Sequence, residues 1–170
     1  MSAEQSVTAI VKRPPQTLEP WHAPAWQRLW LALQARPWNA LALVPASVGA
    51  PPDFTLRIAS TLARTGMVHL SAPVQVADGT RVQLSSMVSF QNEVRACQQA
   101  GDRVLLALSP IAENPVTDTL AQGADCSLLC LLFEAMAASD AKRTVTAIGK
   151  ERFIGSAIFR PDPSGGLAAI

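Results

Sequence analysis

Ser47, Gly49 and Asp53 stand in the loop "ASVGAPPDF", between the apolar run "ALALV" and the helix pattern "DFTLRIASTLART". Strand, loop and helix in that order let backbone N–H groups at a helix start cradle a phosphate. Such a loop works with glycines that turn its amides toward the anion, a lysine for the charge and a Ser or Thr for magnesium. This loop offers Gly49 alone, followed by Ala50, Pro51 and Pro52, with Ser47 and Val48 before it. Proline has no N–H and a fixed φ, so two in succession remove donors from the cradle. No lysine lies between Lys12 and Lys142. Asp53 at the cap would occupy the first helical donors and repel an anion. The loop reads as the remnant of a phosphate site.

The other reactive residues make no catalytic constellation. Asp78, Arg81, Glu93 and Arg95 read as solvated charges, and Ser47 and Ser109 have no base in a suitable pattern. His69 falls in the apolar run "MVHLS" and reads as a hydrogen-bonded histidine in a buried strand. Cys97, Cys126 and Cys130 sit in apolar surroundings and read as buried thiols. Cys126 and Cys130 lack the further ligands that a metal centre needs, so neither a metal nor another cofactor is expected.

These residues must be positioned by the elements around them. Residues 1–20 are polar and interrupted by Pro14, Pro15 and Pro20, which predicts a flexible arm with a short extended piece at "VTAIV". Trp26, Leu29, Trp30 and Leu33 then recur at i, i+3, i+4 and i+7, one face of an amphipathic helix. Strands are expected at "ALALV", "MVHLS", "RVLLALS", "CSLLCLLF" and "FIGSAIF". Helices are expected between them, the first starting at Asp53 and stopping at Gly66, the next capped by Ser85 or Ser86 and stopped by Gly101. A short helix at "NPVTDTLAQGA" and another starting near Ser139 complete the series. The alternation predicts an α/β fold, a mostly parallel sheet with helices on both faces and right-handed crossovers. One domain is expected over residues 21–163, with 164–170 as a tail.

Composition excludes several function classes. A net charge of +1 with dispersed basic residues gives no general attraction to nucleic acid. The stretch "CSLLCLLFEAMAA" is interrupted by Glu134 and falls short of the roughly 20 apolar residues of a spanning helix. With no apolar signal core in its first residues, the chain is expected in the cytoplasm, without direct membrane insertion.

Three stretches carry a family resemblance. "AWQRLWLALQARPWNALALVPAS" looks like a helix leading into a first strand, and "TLRIASTLARTGMVHLS" like the helix after a phosphate loop with its following strand. The stretch from "RVLLALSPIAENPVTDTL" to "FIGSAIFRPDP" resembles a Walker B strand, its proline-containing loop, a short helix, a further strand, a helix and a last strand. Over roughly residues 24–163 the order resembles the deviant-Walker P-loop ATPases, most of all the cytoplasmic domain of bacterial tyrosine kinases, with Min- and Par-type ATPases more distant. On that resemblance, counting back from Gly66, the Gly-Lys-Ser of the phosphate loop falls on Ala50, Pro51 and Pro52. The second acidic motif falls on Ser71, Ala72 and Pro73, and the Walker B aspartate on Ala107 or Ser109. None of these is acidic. The tail tyrosines of such kinases have no counterpart, because the chain contains no tyrosine.

Phosphoryl transfer depends on that lysine, on magnesium and on its carboxylate, so the expectation is a catalytically inactive domain that acts by binding. The resemblance implies a scaffolding or regulatory subunit of a bacterial polysaccharide synthesis or secretion machine. It would be held at the inner membrane through a protein partner, or would pair with a copy of itself. One alternative is a nucleotide-sensing NTPase whose site is rewired around Arg57 or Arg81. Another is a non-catalytic Par- or Min-like positioning or division regulator. For Trp21, Trp26, Trp30 and Trp38 core packing is the first expectation, with Trp26 and Trp30 on the buried face. If a partner docks, this region, with Trp21 and Trp38 flanking that face and partly exposed, is the candidate surface.

Overall fold

The computed structural model describes residues 19–135, 137–163 and 165–170. The expected arm lies outside them but for its last two residues, Glu19 and Pro20. The chain runs α1 (Pro24–Leu33), β1 (Ala40–Pro45), α2 (Phe54–Leu70), β2 (Val74–Asp78), α3 (Met87–Gln99), β3 (Arg103–Ala107), α4 (Thr117–Gly123), β4 (Cys126–Leu132), α5 (Ala138–Ile148), β5 (Phe153–Pro161) and β6 (Leu167–Ala169). One sheet holds all of these strands in the order β2-β3-β1-β4-β5-β6. The first five in sequence are parallel and β6 runs antiparallel to β5. This is an α/β architecture of the Rossmann-like and P-loop-like kind, as the alternating elements predict.

The central strand β1 is buried along its whole length, so it carries no polar alternation. Its side chains alternate between two cores. Leu41 and Leu43 pack with Trp26, Trp30 and Leu33 of α1 and with Phe54, Ile58 and Leu62 of α2. Ala40, Ala42 and Val44 join Leu120 and Ala121 of α4, Ile148 of α5 and the half-buried Phe90 and Val94 of α3. Asp125 locks the start of this strand, accepting from the amides of Asn39 at 2.7 Å and Ala40 at 2.8 Å.

The largest departure from expectation is at residues 66–78. Gly66 does not end α2, and "MVHLS" is not a strand. The helix runs on to Leu70, and the second strand is the next apolar alternation, "VQVAD". Gly66 is needed for packing: a Cβ there would stand 2.5 Å from Cζ2 of Trp30. The stop comes at Ser71, left-handed at φ 50°, where the amides of Ser71 and Ala72 close on the carbonyls of Met67 and Gly66.

His69 is consequently exposed on the last turn of α2, with its Nε2 3.0 Å from the Trp21 carbonyl and its ring edge-on to His22. The expected tail is also corrected, since Leu167–Ala169 extends the sheet against Phe159–Pro161.

The tryptophans are more buried than their spacing predicts. Trp26 and Trp30 are 1% exposed as expected, but Trp38 is only 4% exposed. Its indole Nε1 donates to the Leu33 carbonyl at 2.9 Å, and the Arg103 guanidinium lies 3.5 Å from a ring centroid. Trp21 alone is half-buried, beneath Arg64. Three of the four tryptophans are therefore core: Trp26 and Trp30 because α1 packs on α2 with Trp26 against Phe159, and Trp38 because its ring stands edge-on to Trp30.

Candidate functional site

In open α/β sheets ligands bind beyond the carboxyl ends of the strands, where neighbouring connections diverge. Here β1 leads through α2 toward β2, while β4 leads through α5 toward β5 on the other side. The crevice between the loops after β1 and β4 is thus the position for a phosphate.

The two loops that border that crevice meet across it. Ser47 Oγ donates to the Ala135 carbonyl at 2.7 Å, and the Ala46 amide donates to the Cys130 carbonyl at 2.9 Å. A Cβ on Gly49 would lie 3.2 Å from Cβ of Ala135, so the two loops touch. Val48 and Phe133 stand exposed on the rim.

The start of α2 at Phe54 places Pro51, Pro52 and Asp53 at the end of the loop, with Ala50 half-buried before them. Counting back from Gly66 loses its anchor, since that glycine lies within the helix. No lysine falls on the loop by either reckoning. Asp53 occupies the cap position, yet its side chain makes no capping hydrogen bond; the Phe54 amide donates instead to the Pro51 carbonyl. The expectation that Asp53 fills the helical donors is therefore corrected. Arg57, a candidate lysine substitute, donates to the Gly165 carbonyl.

The acidic positions also shift. Ser71 and Pro73 lie just after the C-terminus of α2, at the opposite end of the sheet, so neither can correspond to an acid at a strand end. The residue that ends β2 is Asp78. Its Oδ1 accepts from Thr80 N at 3.0 Å and Thr80 Oγ1 at 2.6 Å, so the carboxylate is turned onto its own loop. Gly79 lets this loop pass close to β3, since a Cβ there would meet Leu108 Cδ2 at 2.7 Å. Ala107 ends β3 fully buried, and Ser109 follows with its Oγ 3.5 Å from Thr117 Oγ1. Neither supplies an acid.

Beside that crevice, two adjoining hollows open between the loops after β2 and β3. One of about 350 Å³ is lined by Thr80, Arg81, Gln83, Ser109, Glu113 and Asn114, among others. The other, about 70 Å³, shares Thr80, Arg81, Ser109 and Glu113 and reaches Pro51, Pro52 and Thr55. Their walls are fixed by Asn114 Nδ2 donating to the Val82 carbonyl at 2.9 Å and Thr55 Oγ1 to the Leu108 carbonyl at 2.6 Å. Sequence reasoning read Arg81 as a solvated charge, or in one alternative as a lysine substitute, and did not weigh Thr80 or Glu113. The signal that could have found the first two is "VQVADGT", a β-type alternation after Pro73 ending in an Asp-Gly turn.

The thiols give no reactive centre. Burial pushes the thiols of Cys126 and Cys130 up. Cys97 is half-buried on α3. A thiol-directed reagent at mildly alkaline pH is expected to modify Cys97 first, and Cys126 and Cys130 only after denaturation. Rapid labelling of either β4 cysteine in the native protein would contradict this packing. Among the described residues no three His, Cys, Asp or Glu side chains gather to hold a metal ion, and no helix is long and apolar enough to cross a membrane.

Comparison with models of known protein families, with curated proteins and with solved structures finds no match to this chain.

Proposed function

We propose that this chain is a catalytically inactive P-loop-like protein that acts by protein contacts, as a scaffolding or regulatory subunit of a bacterial polysaccharide synthesis or secretion machine. The observation that carries the inactive part is the position of the phosphate loop, where Ser47 is bonded to Ala135 and no lysine is available. Phosphoryl transfer without that cation and without an acid at Ala107 or Ser109, where β3 ends, lacks its charge stabilisation. The polysaccharide part rests on the resemblance alone, since fold does not imply function.

On this reading the contact surface is not the buried tryptophans. Val48 and Phe133 are 52% and 56% exposed on the rim of the crevice, and Leu84 and Val88 are 73% and 61% exposed at the start of α3. All four lie toward the carboxyl end of the sheet. Exposed apolar side chains at one end of a sheet favour association.

The test is binding of the purified chain to cytoplasmic segments of polysaccharide-export membrane proteins, with and without ATP and magnesium. The expected result is nucleotide-independent binding that Val48→Asp with Phe133→Asp weakens without lowering the melting temperature. Binding to none of these segments, or only with ATP, would contradict the proposal.

A second reading, a nucleotide sensor with a rewired site, is favoured by one observation. Arg81 lines the hollow beside Thr80 and Ser109, whereas Arg57 is engaged with Gly165.

A further inference from the structure

We infer that the groove between the loops after β2 and β3 binds a small zwitterion of the amino-acid type. Its two hollows, about 350 and 70 Å³, both take Arg81 and Glu113 into their lining. A volume of that order suits a small molecule, at the lower end of the roughly 300–1,000 Å³ of ligand pockets. Among the described residues neither Arg81 nor Glu113 has a side-chain hydrogen bond or ion pair, and the single ion pair found joins Arg143 and Asp140. One groove thus presents an unengaged guanidinium and an unengaged carboxylate.

The chemistry of the two groups selects the ligand. A guanidinium fork takes a planar carboxylate through two parallel hydrogen bonds. A carboxylate takes an ammonium, and Thr80 Oγ1, whose own proton goes to Asp78, can accept from the same ammonium. Local charge weighs against a phosphate ester: Glu113 and the adjoining Asp78 outnumber Arg81, so a dianion would meet net repulsion. A ligand with one charge of each sign is matched on both.

The groove is also held in shape without a ligand. Asn114 ties its two loops together through the Val82 carbonyl, while its Oδ1 accepts from the Val116 amide at 3.1 Å. Thr117 Oγ1 donates to the Ser109 carbonyl at 3.0 Å and so fixes the floor. A ligand therefore meets a rigid wall and pays little to order it. The inference does not rest on the scaffold reading, since it concerns the groove and not the crevice between the loops after β1 and β4.

The test titrates the full ¹⁵N-labelled chain with each standard free amino acid and follows the amide resonances of residues 80–84, 109 and 111–114. At least one amino acid is expected to shift them saturably, and its N-acetyl and C-terminal amide forms to bind about tenfold or more weakly. Glu113→Gln should weaken the free amino acid by a similar factor and abolish the penalty for N-acetylation. Arg81→Gln should do the same for the C-terminal amide. Both side chains are exposed, so folding is not at stake. Three results would overturn the inference: no amino acid moves these resonances, inorganic phosphate or ATP moves them in preference, or both variants leave the affinity unchanged. Partner binding that is retained in Arg81→Gln separates failure here from failure of the scaffold reading.

Discussion

Trp30→Ala is expected to destabilise the fold by about 3–5 kcal/mol, the range for removing a large buried aromatic and leaving part of its volume empty. Trp30 is 1% exposed and lies where α1, α2 and the start of β1 meet. One side of its ring rests on Gly66, and the ring of Trp38 stands edge-on with centroids 6.2 Å apart. The Arg103 guanidinium lies 5.6 Å from its centroid. For a chain of this length, each kcal/mol lowers the melting temperature by about 2–4 °C, so the loss is expected to be easily read by calorimetry. Trp30→Phe keeps most of the aromatic area and removes an indole N–H that has no acceptor among the described residues. It should cost far less than the alanine variant. Equal losses for the two would show that packing at this ring is not what holds α1 in place.

Gly66→Ala is the second large effect, and its sign is the informative part. In an exposed helix interior the change is favourable by about 1 kcal/mol, because glycine has the poorer helix propensity. At this position the new methyl would sit 2.5 and 2.6 Å from Cζ2 and Cη2 of Trp30, and overpacking of that kind costs about 1–3 kcal/mol. The ring cannot retreat, since Trp38 and Arg103 back it. A net destabilisation is therefore expected in the native background. In the Trp30→Ala background the obstruction is gone, and the same substitution should become stabilising. That reversal is a coupling between touching residues that a double-mutant cycle isolates. Stabilisation in both backgrounds would contradict the contact between α1 and α2.

This contact also explains where sequence reasoning went astray. Gly66 followed by an apolar run has the pattern of a helix stop and a strand, and nothing local distinguishes a capping glycine from one that admits an aromatic ring. The partner that decides the matter, Trp30, is remote in sequence. From that one misreading follow the buried-strand placement of His69, the strand end at Ser71 and Pro73 and the count back to the phosphate loop. By contrast, β1, β3 and β4 were legible because strands covered on both faces read as unbroken apolar runs. Trp38 was missed because its burial depends on a bond to the Leu33 carbonyl and on Arg103, neither visible in helical periodicity.

At the candidate site, composition carried the main conclusion. The absence of lysine and the pair Pro51–Pro52 speak against a phosphate cradle wherever the helix starts. What the sequence does not display is that Ser47 closes onto Ala135, a pairing of residues 88 apart. Nor does it display that Arg81 and Glu113 share a groove, since they are brought together by the parallel order of β2 and β3.

The most direct test of the central claim is a thermal-shift and calorimetric titration of the purified chain with ATP, ADP and GTP, with and without magnesium. A nucleotide at 100 times its dissociation constant stabilises the folded state by about 2.7 kcal/mol, which is readily seen as a rise in melting temperature. The account predicts no shift and no heat of binding with any of the three, magnesium present or absent. A saturable, magnesium-dependent rise would contradict it, and would mean that the chain still senses nucleotide.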